Sequence, residues 1–372
     1  MLGRGLTKGF GVFFDSTRIT SGQRFFQNLN QELSEKVIDL DQKPSVILFN
    51  VSAPIKKVIS AKVRGQKIVL RIDGLYSDQL SPAFINTFNW PLRALFSIGL
   101  KYKQTHNFLA FWANFLSQNY GGFLRIFLAD LLIYQSEFSK DIHRPYFPYK
   151  QFEIIVNGSS ITFWNEGFTV NASDSEIKLI TIYDDWKPAK RMHDIVAFVR
   201  WAQETKNIPI HLTILGYTGK VPLCVPHAQE IKNTIENAAY IRTLPRFTGF
   251  GDTFRDALLE SDMYISFSYR DPCPNTVVES MAHGLPVVGI ASGGIADIVG
   301  NAGELLPTDD FANGFFSSHR FDCDFPSIDF EQVLDLVKRV KDNNLMYRER
   351  VKQRFIDELS IKVIASKYRR AM

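Results

Sequence analysis

The sequence predicts an α/β protein made of two doubly wound domains in tandem. Its 372 residues exceed what one hydrophobic core usually organises. Short apolar runs alternate with helical patterns along the chain, which is typical of βαβ units and parallel sheets. A polar stretch at 157–175 interrupts this alternation. We therefore predict domains at 1–160 and 176–354, a linker at 161–175, and a helix at 355–372 that crosses back to the N-terminal domain.

Apolar runs mark the predicted strands of each half. Those of the first half are Gly11–Phe14, Val37–Leu40, Ser45–Asn50, Lys67–Ile72, Leu131–Tyr134 and Glu153–Val156. Those of the second half are Leu179–Tyr183, His211–Leu215, Met263–Phe267 and Val287–Ile290. Helical spacing of apolar residues predicts helices after Ser21, from Met192 and around Val337. Ligands of such sheets bind outside the carboxyl ends of the strands, so we expect a site in a cleft between the domains.

Composition excludes several functional classes. The net charge of +4 is too small to indicate nucleic-acid binding, and no nucleic-acid motif is present. The three cysteines, Cys224, Cys273 and Cys323, lack metal-type spacing and fit a reducing, cytoplasmic compartment. Residues 1–11 have no apolar signal-peptide core, and no apolar run reaches the roughly 18 residues that span a bilayer.

Residues 79–129 contain no acidic side chain but many aromatic ones. The basic residues among them are Arg93, Lys101, Lys103 and Arg125. The aromatic residues are Phe84, Phe88, Trp90, Phe96, Tyr102, Phe108, Phe111, Trp112, Phe115, Tyr120, Phe123 and Phe127. Such rings either form the core faces of ordinary helices or contact an anionic membrane surface from outside. The sequence leaves both interpretations open.

Two carboxylates eight positions apart carry the strongest functional signal. Asp271 begins a loop after a predicted strand, and Glu279 lies one turn into a short predicted helix. Pro274, Asn275 and Thr276 stand at the start of that helix, where backbone N–H groups and the positive dipole end can bind a diphosphate. Asp271 can then bond sugar hydroxyls and Glu279 the ribose. The spacing of Thr276 and Glu279 also fits a capping box, in which Glu279 bonds only the backbone.

A family resemblance rests on Asp271–Val288, Gly293–Val299 and Ala302–Gly303. These stretches resemble the C-terminal donor-binding domain of glycosyltransferase family 4, whose mark is two glutamates separated by seven residues, a small-residue helix, Gly-hydrophobic-Pro-Val and a Gly-Gly loop. The resemblance covers roughly Leu179–Pro307. It implies the GT-B fold, with two Rossmann-like domains facing an interdomain cleft. The N-terminal domain would bind the acceptor and the C-terminal domain the nucleotide sugar.

The resemblance further implies a retaining, metal-independent transferase that uses no cofactor. It would move a sugar from a UDP- or GDP-linked donor to a saccharide or lipid-linked acceptor in polysaccharide or glycan synthesis. In the family the leaving phosphate oxygen takes the proton of the acceptor during a front-face displacement. That would explain why no hydrolase-like arrangement of catalytic side chains stands out.

Two positions depart from the family pattern. Asp271 stands for the first glutamate and is one methylene shorter, which is expected to alter how the donor sugar is held or which sugar fits. Asp185 stands where the family usually has an arginine, whereas Lys190 is kept. Cations are needed there because negative charge grows on the leaving diphosphate. We assign that role to Lys190 and expect Lys187 or Arg191 to supply the missing charge, unless these two belong to a solvated turn.

The N-terminal half matches the family only in pattern. Gly22 opens a predicted helix and would let the backbone approach the donor closely. Asp73 follows a predicted strand in the run Arg71–Gly74. It can orient the acceptor hydroxyl as a catalytic residue, or it is simply a turn residue.

Other classes fit less well. Asp39–Asp41 and Asp322–Asp324 have the letters of the metal-binding Asp-x-Asp of GT-A transferases, but neither lies near other donor-site features. The Gly-x-Gly-x-x-Gly pattern of dehydrogenases is missing from the sequence. A nucleotide-sugar epimerase remains an alternative. So does a binding subunit without turnover, because of the departures at Asp185 and Asp271.

Overall fold

The computed structural model describes residues 6–13, 21–33, 37, 39–102, 106–160, 176–183, 186–245, 252–312 and 325–372. The chain divides into two compact units. The first comprises Met1–Tyr76, Asn114–Ser160 and Ile356–Met372, and the second comprises Ser77–Ala113 and Ile161–Phe355. The predicted linker at 161–175 lies outside the described residues, and the domain bounds set from the sequence stay a prediction.

The elements are numbered in chain order. Up to residue 160 they are β1 (Thr7–Val12), α1 (Ser21–Leu33), β2 (Pro44–Asn50), α2 (Ile55–Val63), β3 (Lys67–Ile72), α3 (Pro82–Ile85), α4 (Trp90–Lys101), α5 (His106–Asn114), α6 (Tyr120–Leu128), β4 (Leu131–Tyr134), α7 (Glu137–His143) and β5 (Gln151–Ile154). From residue 176 they are β6 (Ile177–Ile182), α8 (Met192–Glu204), β7 (Ile210–Leu215), α9 (Ala228–Asn237), β8 (Ile241–Leu244), α10 (Asp252–Leu259), β9 (Met263–Ser266), α11 (Asn275–Ala282), β10 (Val287–Ala291), α12 (Ile295–Val299), β11 (Gly303–Pro307), α13 (Phe330–Asp342), α14 (Asn344–Arg354) and α15 (Ile361–Ala371).

The first unit is a parallel sheet, in the order β1-β2-β3-β4-β5, with helices on both faces. Successive residues of a strand point to opposite faces of the sheet. Leu48 and Val69 accordingly join a buried cluster with α1 and α15, whereas Ile47 and Leu70 join another with α2 and Ile126 of α6. Because both faces are covered, its strands read as continuous apolar runs.

The second unit contains a parallel sheet in the order β11-β10-β9-β6-β7-β8. The chain runs outward from β6 in one direction and then returns to build β9, β10 and β11 on the other side. The strand order therefore reverses between β6 and β9, which pair at Leu179 and Met263. Such a reversal is the place where loops at the carboxyl ends of strands diverge and leave room for a ligand.

The predicted α/β class with parallel sheets is confirmed, with local differences. The predicted strand Val37–Leu40 is wrong as a strand: Val37 makes a single bridge to Phe10, and Leu40–Gln42 is a 3₁₀ turn. Its N-cap is Asp39, whose carboxylate accepts a hydrogen bond from the N–H of Asp41. This Asp-x-Asp therefore caps a turn, while Asp322–Asp324 lies outside the described residues. Strands β8 and β11 were not predicted.

The aromatic stretch after residue 78 is divided between core and surface. Helices α3, α4 and α5 of the second unit share a buried cluster of Leu80, Phe84, Ile85, Phe88, Phe96, Ala110 and Ala113. The same helices expose Trp90, Leu95, Ile98, Tyr102, Phe108 and Trp112. In the first unit, the π-helical turn Phe115–Asn119 and α6 expose Leu116, Tyr120, Leu124 and Phe127. None of the helices in the described part of the chain is both long and apolar enough to cross a membrane.

We expect the first unit to lose stability in acid through His143. Burial lowers the pKa of this imidazole from 6.5 to about 4, although the carbonyl of Ser139 opposes the shift. The neutral ring therefore contributes up to about 3 kcal/mol to the free energy of unfolding above pH 6.5. This contribution is lost as the pH falls towards 4. Urea unfolding at pH 7 and pH 4.5 should show this loss in the wild type and much less of it in His143→Gln. The exposed His227→Gln is the control, and equal acid sensitivity in all three proteins would contradict the assignment.

Candidate active site

Loops that follow the neighbouring strands β6 and β9 form the candidate site of the second unit. The loop after β6 leads to the 3₁₀ turn Pro188–Lys190, and the loop after β9 carries Asp271. The N–H of Tyr269 donates a hydrogen bond to the carbonyl of Ala189 at 2.8 Å, and the hydroxyl of Tyr183 donates to that of Lys190 at 2.7 Å. The first bond joins the two loops at the carboxyl ends of their strands, and the second fixes the turn to the end of β6.

Lys190 and Asp271 form an ion pair across these loops. The Nζ atom of Lys190 lies 2.5 Å from Oδ2 of Asp271, and both side chains are about a quarter exposed, at 29% and 23%. The other carboxylate oxygen accepts the backbone N–H of Cys273 at 3.1 Å. Although Asp271 is shorter than the glutamate implied by the family resemblance, its carboxylate reaches the lysine that the resemblance assigns to the diphosphate.

The ion pair keeps Lys190 charged. Burial alone would lower the pKa of its ammonium group, but the Asp271 carboxylate outweighs burial and holds this pKa above the usual 10.5. A raised pKa means that the pair contributes its stability in full below pH 10.5 and loses it only as the pH rises through the higher, folded-state value. Lys190 therefore stays positively charged at any physiological pH.

Helix α11 begins immediately after this ion pair. Pro274 is its N-cap, and Asn275 and Thr276 are its first two residues. Thr276 is therefore inside the helix, where its hydroxyl accepts a hydrogen bond from Tyr264 at 2.9 Å, and Pro274 makes no side-chain cap. A capping box would require Thr276 at the N-cap, but Pro274 occupies that position in the structure. Glu279 lies in the second turn and is partly exposed.

A Gly-Gly loop closes against the backbone of Asp271. Gly293 has a φ of +68°, and a Cβ there would lie only 2.2 Å from the carbonyl oxygen of Asp271. The N–H of Gly294 donates to that same carbonyl at 2.8 Å. The carboxylate of Asp310 accepts hydrogen bonds from the hydroxyl of Ser292 and, at 2.6 Å, from the N–H of Gly293. Glycine at 293 is thus required both by the backbone conformation and by the close approach.

Replacing Gly293 by alanine should displace the Asp271 loop. Gly219 has a similar φ of +75° but no atom within 4 Å of an added Cβ, so Gly219→Ala measures the backbone strain alone. We expect Gly219→Ala to cost about 1 kcal/mol of unfolding free energy and Gly293→Ala a further 1–3 kcal/mol or so from the clash. Urea unfolding of both variants checks this difference. Equal losses would show that the loop can move away from Gly293 without cost.

Two further cations assigned from the sequence, Arg191 and Lys187, lie in or beside the same turn as Lys190. Arg191 is 3% exposed; its Nε contacts Asp194 at 2.6 Å and an Nη atom donates to the carbonyl of Pro326. These contacts direct its guanidinium into the protein and disfavour a role at the donor. Lys187 is exposed on the same turn, so its role stays a prediction. Asp185, at the position of the missing arginine, lies outside the described residues.

The two site residues assigned to the N-terminal half belong to the first unit. Gly22 is the second residue of α1. Asp73 follows β3 directly, and its carboxylate contacts Arg71 at 3.0 Å and Gln135 at 2.5 Å. The sequence therefore placed Asp73 correctly at the carboxyl end of a strand. Asp73 is more than a turn residue, because its carboxylate is hydrogen-bonded to side chains from β3 and from the end of β4.

Sequence reasoning missed three polar residues around the ion pair, of which Tyr264 and Arg270 are buried and Asp310 is partly buried. Tyr264 bonds Thr276, and burial raises the pKa of its hydroxyl even though Lys190 opposes the shift. Burial also raises the pKa of the Asp310 carboxyl, despite its hydrogen bonds. Arg270, 8% exposed with a φ of +53°, contacts the hydroxyl of Ser77 at 3.3 Å. None of them has a spacing signal, since each acts through tertiary contacts. For Arg270, its position beside Asp271 was the available clue.

Known structures resemble this fold over almost the whole chain. S. aureus TarM has 12% identity and a TM-score of 0.57, and the match covers 94% of this chain and 58% of TarM. The pneumococcal O-GlcNAc transferase GtfA, solved with UDP and GlcNAc, has 14% identity and a TM-score of 0.53, with coverages of 87% and 56%. This chain thus spans less than two thirds of either protein. Anabaena HepE, solved with UDP-glucose, has 10% identity, a TM-score of 0.57 and 98% coverage of both chains.

These similarities, with two parallel α/β units, establish a GT-B fold of two Rossmann-like domains. No curated protein gives a significant sequence match. Residues 183–318, which include Lys190, Asp271 and Glu279, match the family model described as "Glycosyl transferases group 1". This match and the fold together support a GT-B glycosyltransferase.

Proposed function

We propose that this protein is a retaining, metal-independent glycosyltransferase of family 4. It moves a sugar from a UDP- or GDP-linked donor to a saccharide or lipid-linked acceptor in polysaccharide or glycan synthesis. The observation that carries the proposal is the ion pair between Lys190 and Asp271 at the start of α11. It brings a cation, a carboxylate and a helix N-terminus together in one place. The cation and the helix N-terminus can stabilise the negative charge of a departing nucleoside diphosphate.

Each group has a distinct role in this proposal. Lys190 and the N-terminal end of α11 bind the diphosphate and stabilise the negative charge that grows on it as the glycosidic bond breaks. Asp271 orients Lys190 and bonds hydroxyls of the donor sugar, while Glu279 accepts hydrogen bonds from the ribose. The proton of the acceptor hydroxyl passes to the leaving phosphate oxygen, so no further base from the protein is required. Asp73 orients the acceptor.

A donor panel tests the proposal. UDP- and GDP-linked sugars are incubated with glucose, galactose, N-acetylglucosamine and octyl β-glucoside, and release of the nucleoside diphosphate is measured with and without EDTA. Proton NMR of the product gives its anomeric configuration. We expect EDTA-insensitive transfer with retention for at least one donor. Inversion would refute the mechanism, and nucleotide binding without any release would favour the binding subunit. A changed sugar without an acceptor would favour the epimerase.

The proposal includes a peripheral contact with an anionic membrane. Helix α4 of the second unit exposes Trp90 at 79%, and α5 exposes Phe108 at 67%. In the first unit, Phe127 of α6 is exposed at 72%. The stretch from residue 79 to 129 has no acidic residue, so its charge complements anionic headgroups, and its rings suit headgroup depth. A lipid-linked acceptor would be reached from such a surface.

We expect the wild type to float with phosphatidylglycerol vesicles at low salt and not with phosphatidylcholine vesicles. The double variants Trp90→Ser/Phe108→Ser and Tyr120→Ser/Phe127→Ser should each bind about 10- to 100-fold more weakly, because two rings no longer enter the interface. Leu345→Ser, which changes a residue of α14 that is 67% exposed, is the matched control and should bind as the wild type does. Absence of wild-type flotation would refute the membrane contact.

A further inference from the structure

A fully buried arginine at the carboxyl edge of the first unit's sheet is not used by the donor site. Arg71 in β3 is 1% exposed, and its guanidinium carbon lies 4.7 Å from the ring centre of Phe25 and 5.4 Å from that of Phe26. A permanent charge is expensive to bury unless it is paired and hydrogen-bonded. The partners of this arginine therefore indicate what it is there to hold.

Its partners come from the ends of three neighbouring strands. One Nη atom of Arg71 donates hydrogen bonds to Oε1 of Gln135, after β4, and to Oδ1 of Asn157, after β5, both at 2.7 Å. The other Nη atom donates to Oδ1 of Asp73, after β3, at 3.0 Å. Strands β3, β4 and β5 are parallel neighbours, so their carboxyl ends bring these side chains to one edge. We call Arg71, Asp73, Gln135 and Asn157 the edge cluster.

Gln135 connects the edge cluster. Its amide nitrogen donates to Oδ1 of Asp73 at 2.5 Å and to the carbonyl of Ile72 at 3.0 Å, while its oxygen accepts from Arg71 and, at 3.0 Å, from Asn157. Both ends of the amide are thus occupied, and the side chain has one orientation. The carbonyl of Asp73 also accepts the hydroxyl of Ser139 at 3.0 Å, which fixes its backbone.

Asp73 is the member of the edge cluster that reaches the surface. Its side chain is 48% exposed, whereas that of Arg71 is 2% exposed and Gln135 and Asn157 are buried. Within the described part of the chain, the hydrogen bonds to its carboxylate are all to Oδ1. The cluster therefore holds one carboxylate oxygen and presents the other, Oδ2, outward. A carboxylate oxygen held in this way accepts hydrogen bonds from hydroxyl groups, which is how proteins bind saccharides.

We propose that Arg71, Gln135 and Asn157 are positioning residues that aim Oδ2 of Asp73 at a hydroxyl group of a saccharide acceptor. This inference rests on the proposed transferase function and names the class of acceptor and the side chains that orient it. Buried residues that hold a carboxylate within a few tenths of an ångström can decide whether a nucleophile is in line, since misplacement by 1 Å can cost about 100-fold in rate.

The test compares two buried glutamines of the same unit. Gln135→Met removes the amide that holds Asp73. Gln66→Met is the matched control, because Gln66 is 2% exposed, donates only to the carbonyl of Pro44 among the described contacts, and lies at the opposite, amino-terminal end of β3. Transfer from UDP-glucose to glucose, galactose, N-acetylglucosamine and octyl β-glucoside is measured together with hydrolysis of UDP-glucose by water and with UDP affinity.

We expect Gln135→Met to lower kcat/KM for the acceptor by roughly 10- to 100-fold, while UDP affinity and hydrolysis remain within about twofold of the wild type. Asp73→Asn should lower it at least as much, and Gln66→Met should change none of these values. Equal transfer by Gln135→Met and the wild type would overturn the inference. So would a parallel loss of transfer and hydrolysis, or a wild type that binds UDP and hydrolyses the donor but uses none of the four acceptors. Failure of the wild type to bind either UDP or GDP would refute the proposed function instead.

Discussion

Lys190→Ala should reduce kcat by roughly 100- to 1,000-fold while the protein stays folded. The ammonium of Lys190 is the fixed positive charge of the candidate site, held 2.5 Å from Asp271. Its contribution grows as charge develops on the leaving diphosphate, so kcat should fall by more than the KM of the donor rises. Initial rates of UDP or GDP release at saturating donor measure the effect. Lys190→Arg, which keeps the charge but not its position, should recover only part of the activity.

A second ion pair of the same unit separates catalysis from stability. Lys341 lies 2.8 Å from Asp262, and these side chains are 20% and 16% exposed, much like Lys190 and Asp271. Asp262 precedes β9 and so stands at the opposite end of that strand from Asp271. Lys341→Ala should therefore lower Tm about as much as Lys190→Ala does, yet leave kcat within about twofold. If both variants lost activity together, the loss would reflect folding and the site assignment would be wrong.

Much of the fold could be predicted from the sequence because parallel strands are buried on both faces and read as apolar runs. Strands β8 and β11 were not predicted because they do not read as apolar runs. Two of the four residues of β8, Arg242 and Thr243, are exposed at the sheet edge, and β11 begins at Gly303, ends at Pro307 and is only partly buried. The predicted strand at Val37 is a single bridge to Phe10 of β1, because the chain turns at Leu40–Gln42 soon afterwards.

The candidate site was predictable where chemistry and spacing coincide, and hidden where tertiary contacts decide. Asp271, Glu279 and Lys190 stand at recognisable positions in loops and at a helix start. Arg191 adjoins Lys190 and has the same charge. Its backbone is left-handed, with a φ of 54°, and its side chain forms an ion pair with Asp194. A sequence shows that a cation is present in a loop and does not show which way it points.

Glu279→Ala should weaken donor binding by about 10- to 100-fold, which corresponds to the loss of hydrogen bonds from hydroxyls to a charged acceptor. The helix itself should survive, because alanine is the best helix former and the ring of His283 contacts the backbone carbonyl of residue 279, which the substitution retains. Isothermal titration with UDP measures the affinity. Glu349→Ala, at an exposed position of α14, is the control for removal of a glutamate from a helix of the same unit.

A change in the ligand identifies the group that Glu279 contacts. If its carboxylate accepts hydrogen bonds from the ribose, then 2′-deoxy- and 3′-deoxy-UDP should bind the wild type less tightly than UDP does. Glu279→Ala should bind all three alike, because the partner of the missing hydroxyl is already gone. The same discrimination in the variant as in the wild type would place the ribose elsewhere. Glu279 would then serve α11 alone, and only Lys190 and Asp271 of the proposed donor contacts would remain.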